Sequence, residues 1–468
     1  MLTAHTSTAP SGVSAGVGWR GFGLAGIGIA NALLLVWGSA SGSSAARALA
    51  AVLAGASVGG AALLWIALDR RFDRMPAAGI LALALLLRLI AVQASPLLED
   101  DHYRYLWDGL RTSTSVDPYR LPPSAYFGDN TLSAHWQDIL GGINNPDIPT
   151  IYGPVLQGLF ALGYWIAPGR LGAIQALLLV ADMAVLVVLV RQGAGARWLL
   201  AYAVHPLVLK EAMASAHPDG LVALFLLLAL LAWQRRRAAW VGAMLGLAVG
   251  AKVAALVALP LLLLAPAQPR ATLASRRVRW VLAAGSAFAA MLALLYLPFI
   301  LAGGSDAAAL GAFGSQWRFN PLLYRGVEAL APAAGARPYA ALLIVVGIGM
   351  IIWRWRRHLP GTRTPVPPPL DAAIALLLLL SPVVNPWYWL WALALSARLG
   401  RCWVAAGGVI AVLSYLNSSV LFEAALWHGT ESAAQYLVPW PLALIQVAVL
   451  LGAFFAGGGR ILLPRVVS

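Results

Sequence analysis

An all-α polytopic membrane protein is the fold class this sequence predicts, on three observations. Hydrophobic residues make up 60% of the 468 residues and charged residues 11%, with a mean hydropathy of +0.78, whereas soluble domains carry roughly 25% charged residues. Apolar stretches close to the roughly 20 residues that cross a bilayer recur along the chain. Short arginine clusters separate them and hold most of the formal charge of +14, as the positive-inside rule would have it. That charge is therefore no nucleic-acid signal; membrane lipids are the expected surroundings. The one cysteine, Cys402, excludes an intramolecular disulfide framework and a cysteine metal site.

With the Arg-rich loops taken as cytoplasmic, the elements fall into order. Residues 1–20 read as a disordered tail, without the basic n-region of a cleaved signal peptide. Two extra spans, 21–39 and 47–68, turn at the polar Ser41–Ser44 and complete an N-terminal unit over 21–75, with Arg70, Arg71 and Arg74 on the cytoplasmic side. A third span, 76–94, delivers the longest polar segment, 95–150, to the outer face. That loop holds 8 of the 18 acidic residues against 3 arginines. Its prolines and aromatics suggest ordered turns and juxtamembrane helices.

Residues 152–167, interrupted by Gly153 and Pro154, read as an interfacial or re-entrant helix, because a crossing there would put Arg191 and Arg197 outside. Spans follow at 171–190, 197–209 and 216–233, the last ending in Arg235-Arg236-Arg237. Residues 239–265 are too long for one crossing and basic on both flanks, so they read as two short helices turning near Gly250-Ala251-Lys252. Spans at 280–301 and 338–353 frame a further outer loop, and the Pro-rich 359–369 is a cytoplasmic linker. A second short pair, 371–384 and 388–397, turns at Asn385-Pro386-Trp387-Tyr388. Spans at 402–419 and 438–457 belong to a C-terminal unit, 401–468, and bring the count to about 11–14 membrane segments with both termini inside.

The chemistry is expected in Glu99-Asp100-Asp101-His102-Tyr103-Arg104-Tyr105-Leu106-Trp107-Asp108-Gly109, where the third span leaves the bilayer. Consecutive carboxylates beside a low-dielectric slab repel one another and tend toward raised pKa values. A topology signal does not need them, since Asp and Glu contribute little to orientation. Asp101 or Asp100 reads as a general base for a hydroxyl acceptor. Only one can act on a given atom, because successive helical side chains diverge by about 100°, and the other then orients the acceptor or binds a cation.

Arg104 pairs with Asp100 or Asp108, or holds a phosphate; Tyr103 and Tyr105 flank it, in an aromatic belt or in the site. Lys252, in the turn of a short helix pair, either snorkels or offers a point charge to an anionic lipid head group. Arg318 and Asn320 form a polar loop facing the same side, with Tyr152, Asn385 and Tyr388 beside it. His217-Pro218-Asp219 fits a helix start and is weak as a metal signal; a start facing the cavity would present imidazole and carboxylate to a sugar. Lys210 and Glu211 read as a simple ion pair, Asp182 as cavity-facing or bonded between helices, and Trp387, Trp389 and Trp391 mostly as interfacial belt.

Taken together, Asp100-Asp101-His102-Tyr103-Arg104-Tyr105-Leu106-Trp107-Asp108-Gly109, Asp117-Pro118-Tyr119, Pro149-Thr150-Ile151-Tyr152-Gly153-Pro154, His205-Pro206, His217-Pro218-Asp219, Lys252 and Ser381-Pro382-Val383-Val384-Asn385-Pro386-Trp387-Tyr388 resemble the GT-C membrane glycosyltransferases. More narrowly, they are similar to bacterial polyprenyl-phosphate-mannose-dependent mannosyltransferase-like families. The likeness covers residues 76–400, as a GT-C-like helical bundle forming the catalytic membrane core. Gly153 and His217-Pro218-Asp219 stand where the families would have Pro and His-Asn-Asp.

The resemblance implies a sugar, mannose or another hexose, on a polyprenyl-phosphate donor. It implies transfer with inversion to a saccharide, lipid or protein hydroxyl at the outer face of the plasma (inner) membrane, which is the periplasmic face where there are two membranes. It also implies an acidic base from the first outer loop: Asp101 ahead of Asp100, with Glu99, Tyr103, Arg104, Tyr105, Asp108, Tyr152, His217, Asp219, Lys252, Arg318, Asn320, Asn385 and Tyr388 toward substrate. No cofactor is required, and a divalent cation is compatible with the acidic cluster. The competing reading, a transporter or flippase of polyprenyl-linked saccharides, would want inverted repeats and charges near the midplane; here the acids gather in one outer loop.

Overall fold

The computed structural model describes residues 12–264, 274–331, 335–357, 366–417, 420–421 and 438–456. Expectations for residues 1–11, most of the 359–369 linker and the extreme C-terminus lie outside the described residues. The described chain is helical throughout, its one β-type contact an isolated bridge between Phe319 and Val383. Among the described residues five helices are long and apolar enough to cross a membrane, within Trp19–Gly38, Ala45–Leu68, Leu171–Arg191, Ser275–Leu301 and Ala336–Arg357, and eight shorter apolar helices accompany them. The protein is an all-α polytopic membrane protein.

Helix α1 (Gly12–Gly38) starts inside the stretch expected to be a tail, so at least residues 12–20 are helical. It lies against α2 (Ala45–Leu68), which Ser44 caps by accepting the Arg47 N–H. Asp69 then starts a 3₁₀ turn, Arg70–Arg74, by accepting the Arg71 N–H and pairing with Arg20 at 2.6 Å. Pro76 opens α3 (Ala77–Ala91). Buried Arg88 leaves that helix for Asp182 at 2.7 Å, and Asp182 also accepts the Tyr202 hydroxyl at 2.6 Å. Asp182 is thus bonded between helices, which settles the alternative left open by its position in an apolar run.

The polar loop folds into α4 (Asp101–Ser115), a 3₁₀ turn Pro123–Tyr126 and α5 (Ala134–Gly141). Helix α6 (Pro154–Ile166) has Pro154 in its first turn and spans ~20 Å at 1.5 Å per residue, short of a ~30 Å hydrocarbon core. It packs against α4 and against α7 (Leu171–Arg191).

The segment expected as one span over 197–209 is broken. Helix α8 (Ala196–Ala203) stops ahead of Pro206, which cannot continue it. The chain then forms a π-helical turn, Val208–Ala214. His205 holds the break: one ring nitrogen accepts the Leu207 N–H and the other lies 3.1 Å from the Ala405 carbonyl.

Helix α9 (Gly220–Gln234) starts one residue after Asp219, whose side chain makes no capping bond. Helix α10 (Ala238–Ala251) ends at an extended Lys252, followed by the 3₁₀ turn Val253–Ala258 and α11 (Leu259–Leu263), the short pair read from the sequence. Small residues let α10 and α12 (Ala274–Leu301) nearly touch: a Cβ on Gly242 would sit 1.9 Å from the Ala284 carbonyl oxygen.

Helices α13 (Ala307–Gln316) and α14 (Tyr324–Leu330) precede α15 (Ala336–Arg357). Along α12 and α15, Leu294, Ile300, Leu301, Val345 and Met350 point outward, an apolar surface suited to lipid. Helix α16 (Leu370–Leu380), the turn Pro386–Trp389 and α17 (Leu390–Leu399) form the second short pair. Helix α18 (Cys402–Ile410) runs into a 3₁₀ turn, Ala411–Tyr415, and α19 (Trp440–Ala456) closes the described chain. A large apolar core runs from Leu24 to Leu450, and α14 packs on the start of α15 in a small separate cluster of Tyr324, Ala336 and Ala340.

Candidate active site

The site is built where four broken elements meet: the start of α4, the Tyr152-Gly153 approach to α6, the π-helical turn, and the turn between α16 and α17. Asp101 is the first residue of α4, where the free N–H groups of a helix start favour a carboxylate. Its Oδ2 accepts the Tyr152 hydroxyl at 3.0 Å and its Oδ1 accepts the Asn144 amide at 3.0 Å. Asn144 also donates to Asp100, which is exposed. Burial pushes the Asp101 carboxyl up, but the contacts from His217, Asn144 and Tyr152 outweigh it and hold the group below the usual carboxylate range. The side chain is still 19% exposed. Asp101 is thus an ionised carboxylate with one face open.

Behind Asp101 lies a buried ionic chain. His217 Nε2 is 3.7 Å from Asp101 Oδ2, and its Nδ1 is 3.1 Å from Glu211 Oε2. Neither ring nitrogen is aligned for a hydrogen bond. The imidazole stacks on Trp387 with ring centroids 3.8 Å apart. Glu211 accepts from Lys210 Nζ at 3.1 Å and from the Tyr415 hydroxyl at 2.9 Å; Lys210 also donates to Tyr415. Glu99 is 3.9 Å from Lys210. Burial pushes its carboxyl up to about 8, against the pull of Lys210, so at neutral pH Glu99 is mostly protonated and the lysine belongs to Glu211.

On the other side of Tyr152, Lys252 Nζ lies 4.7 Å from the Tyr152 ring centre and 5.5 Å from that of Tyr388. It is 3.9 Å from Asp219, whose Oδ1 accepts the Trp391 indole N–H at 2.7 Å. The buried Asp219 Oδ2 has no hydrogen-bond partner among the described residues. Tyr388 stacks on Trp391 with centroids 4.5 Å apart. Gly153 allows this assembly: a Cβ there would come within 2.3 Å of the Gly250 carbonyl oxygen, two residues before Lys252.

Asp101, Tyr152, His217, Asp219, Lys252 and Tyr388 are therefore brought together, with Glu99 beside them and Tyr105 buried edge-on against Tyr152. Asn385 starts the turn that carries Trp387 and Tyr388. Other expected site residues hold the scaffold instead. Arg104 turns into the loop and donates to the Asn145 and Ile148 carbonyls at 3.1 and 3.0 Å. Asp108 is buried and accepts from Gln157 at 2.9 Å. Tyr103 packs on Gly142.

Arg318 pairs with Glu328 at 2.6 Å, and the Asn320 amide is joined reciprocally to Gln446 of α19 at 3.1 Å. Arg104, Arg318 and Asn320 thus spend donors on protein groups in this structure. Trp387, Trp389 and Trp391 are buried, not a belt, because they wall the site and pack the turn.

Lys210 and Glu211 form the ion pair read from the sequence, but their place behind the site, like that of Trp391, Tyr415 and Asn144, was missed by the sequence reading. The signal for Lys210 and Glu211 was present: two charges in an apolar run just after a proline. Among the described residues no group of three or more His, Cys, Asp or Glu side chains is placed to hold a metal ion.

An ionised carboxylate with one open face, an ammonium across a tyrosine ring and an indole wall suit acid–base chemistry on a polar, anionic substrate. No functionally curated protein matches the chain. The family model described as alpha-(1->6)-mannopyranosyltransferase, N-terminal domain, matches residues 13–268, more than half of the chain. The match includes α1 and α2, ahead of residue 76 where the resemblance was expected to begin, and it ends before Trp387, Trp391 and Tyr415. With its multi-pass helical architecture, the chain belongs to the alpha-(1->6)-mannopyranosyltransferase family, as a membrane glycosyltransferase of mannose.

Proposed function

We propose that the chain moves mannose from a polyprenyl-phosphate donor to a hydroxyl acceptor, with inversion, in a GT-C-type core opening on the outer face of the plasma membrane. The observation that carries this reading is the pairing of the half-enclosed Asp101 carboxylate with Lys252 on opposite sides of Tyr152. Asp101 takes the acceptor hydroxyl proton as the oxygen attacks the anomeric carbon. The bond from that carbon to the phosphate oxygen breaks, and its electron pair stays with the phosphate. The leaving polyprenyl phosphate gains negative charge, and Lys252, held 3.9 Å from Asp219, is the ammonium placed beside Tyr152 to neutralise it. An inverting reaction that builds an α linkage calls for a β-linked donor. The family description names a 1→6 linkage, so a primary 6-hydroxyl is the acceptor group to test first.

The test is sugar transfer by the purified full-length protein from a panel of radiolabelled polyprenyl-phosphate sugars, comparing wild type with Asp101→Asn and Asp100→Asn. Removing a general base costs typically ~10²–10⁴-fold in rate. Asp101→Asn is expected to lose at least that lower figure with donor binding retained, and Asp100→Asn to lose little. Transfer that survives in Asp101→Asn would move the base elsewhere. Absence of turnover from every lipid donor, with lipid-saccharide movement across vesicles, would point to a transporter instead.

A further inference from the structure

We infer that Glu211 is a positioning residue for this transfer, acting on Asp101 through the His217 imidazole; the inference rests on Asp101 being the base. Glu211 and His217 have no exposed side-chain surface, so neither reaches a substrate. A buried imidazole takes its orientation only from protein groups, and two carboxylates hold this one: Glu211 at 3.1 Å on Nδ1 and Asp101 at 3.7 Å on Nε2. Trp387 covers one ring face, so the ring can tighten toward either carboxylate while staying in its own plane.

Glu211 is itself anchored on both oxygens, by Tyr415 on Oε1 and Lys210 on Oε2. The π-helical turn is what aims it inward; such turns are frequent at functional sites. The arrangement repeats the logic in which a third group orients a base from behind. Here the oriented group is a carboxylate, and a 3.7 Å contact of this kind tightens in the substrate complex.

A purely structural Glu211 and a positioning Glu211 make different predictions. The assay is transfer from polyprenyl-phosphate [¹⁴C]mannose to a mannose-terminated oligosaccharide by the full chain in detergent, with folding checked by thermal denaturation. Glu211→Gln keeps the shape and removes the charge; kcat is expected to fall about 10- to 100-fold, with the donor KM within about twofold, because the group acts only on a base used in the transition state.

His217→Gln is expected to fall similarly, and the double variant to be no worse than either single one, since the two act in series. Glu211→Asp, one methylene short but charged, recovers part of the loss. Wild-type kcat in Glu211→Gln, losses that multiply in the double variant, or no recovery in Glu211→Asp would overturn the inference. Should Glu211→Gln fail to fold, Glu211→Asp takes its place. Its smaller loss then disappears on the His217→Gln background if the inference is right, and multiplies if it is wrong. Asp101→Asn separates the two levels: an active Asp101→Asn overturns both readings, whereas an inactive one beside a fully active Glu211→Gln overturns this one alone.

Discussion

Glu99 shows how surroundings, burial first among them, change the chemistry of a residue whose identity says little. Exposed, a glutamate titrates near 4.5; here burial, with Glu211 and Asp101 nearby, carries it to about 8. A folded-state pKa above the unfolded one means that the contribution to stability is full below about 4.5 and is lost as pH rises through about 8. Wild-type protein is therefore expected to lose thermal stability between pH 5 and pH 8 relative to Glu99→Gln, which cannot ionise. Melting temperatures of the two proteins across that range decide it, and parallel curves would return Glu99 to an ordinary ion pair with Lys210.

At this scale the sequence was legible where charges clustered at a span's end or stood alone against an apolar background: Asp101 was read in the first way and Lys252 in the second. Lys210 and Glu211 were read as an ion pair, which their 3.1 Å contact shows, but their further partners Tyr415 and His217 come from distant segments that no local pattern reveals. The sequence leaves Arg104 open between an ion pair and a phosphate, because the backbone carbonyls 41 and 44 residues away that one of its terminal nitrogens bonds are shown by no local pattern.

Among the elements, the long apolar helices and both short pairs were visible from length and flanking charge, because bilayer thickness and arginine placement constrain them directly. The π-helical turn was not, since apolar periodicity cannot tell a continuous span from two pieces joined at Pro206. The crossing of α6 and α10 was equally hidden, because it depends on Gly153 meeting the Gly250 carbonyl from 97 residues away in sequence. That approach leads to a prediction. Gly153→Ala places a methyl group 2.3 Å from a backbone oxygen, so α6 and α10 must separate. Overpacking against backbone costs typically ~1–3 kcal/mol. The shift moves Tyr152 away from Lys252, so transfer activity is expected to fall further than thermal stability alone explains. Wild-type activity in a Gly153→Ala protein would show that the crossing does not position the site.

For the whole molecule, orientation follows from where the two kinds of charge gather. Asp69 and Asp73 are matched by Arg20 and Arg197 at one end of the bundle, in pairs of 2.6 and 3.5 Å, and Arg70, Arg71 and Arg74 lie beside them. The loop with Asp101 leaves the other end of α3. Under the proposed function the acidic loop faces outward, as the positive-inside rule would have it, to meet a lipid-linked donor and an extracytoplasmic acceptor. Having a single cysteine makes this testable. On a Cys402→Ala background, Asn130→Cys in the exposed part of the acidic loop and Arg236→Cys in the turn between α9 and α10 each place one thiol at an end of the bundle. A membrane-impermeant maleimide is expected to label Asn130→Cys in intact cells, and Arg236→Cys only after the membrane is opened. Labelling in the opposite order would put Asp101 on the cytoplasmic side and rule out an outward-facing acceptor. Labelling of both positions in intact cells would place an even number of crossings between residues 130 and 236, contrary to the three spans read there.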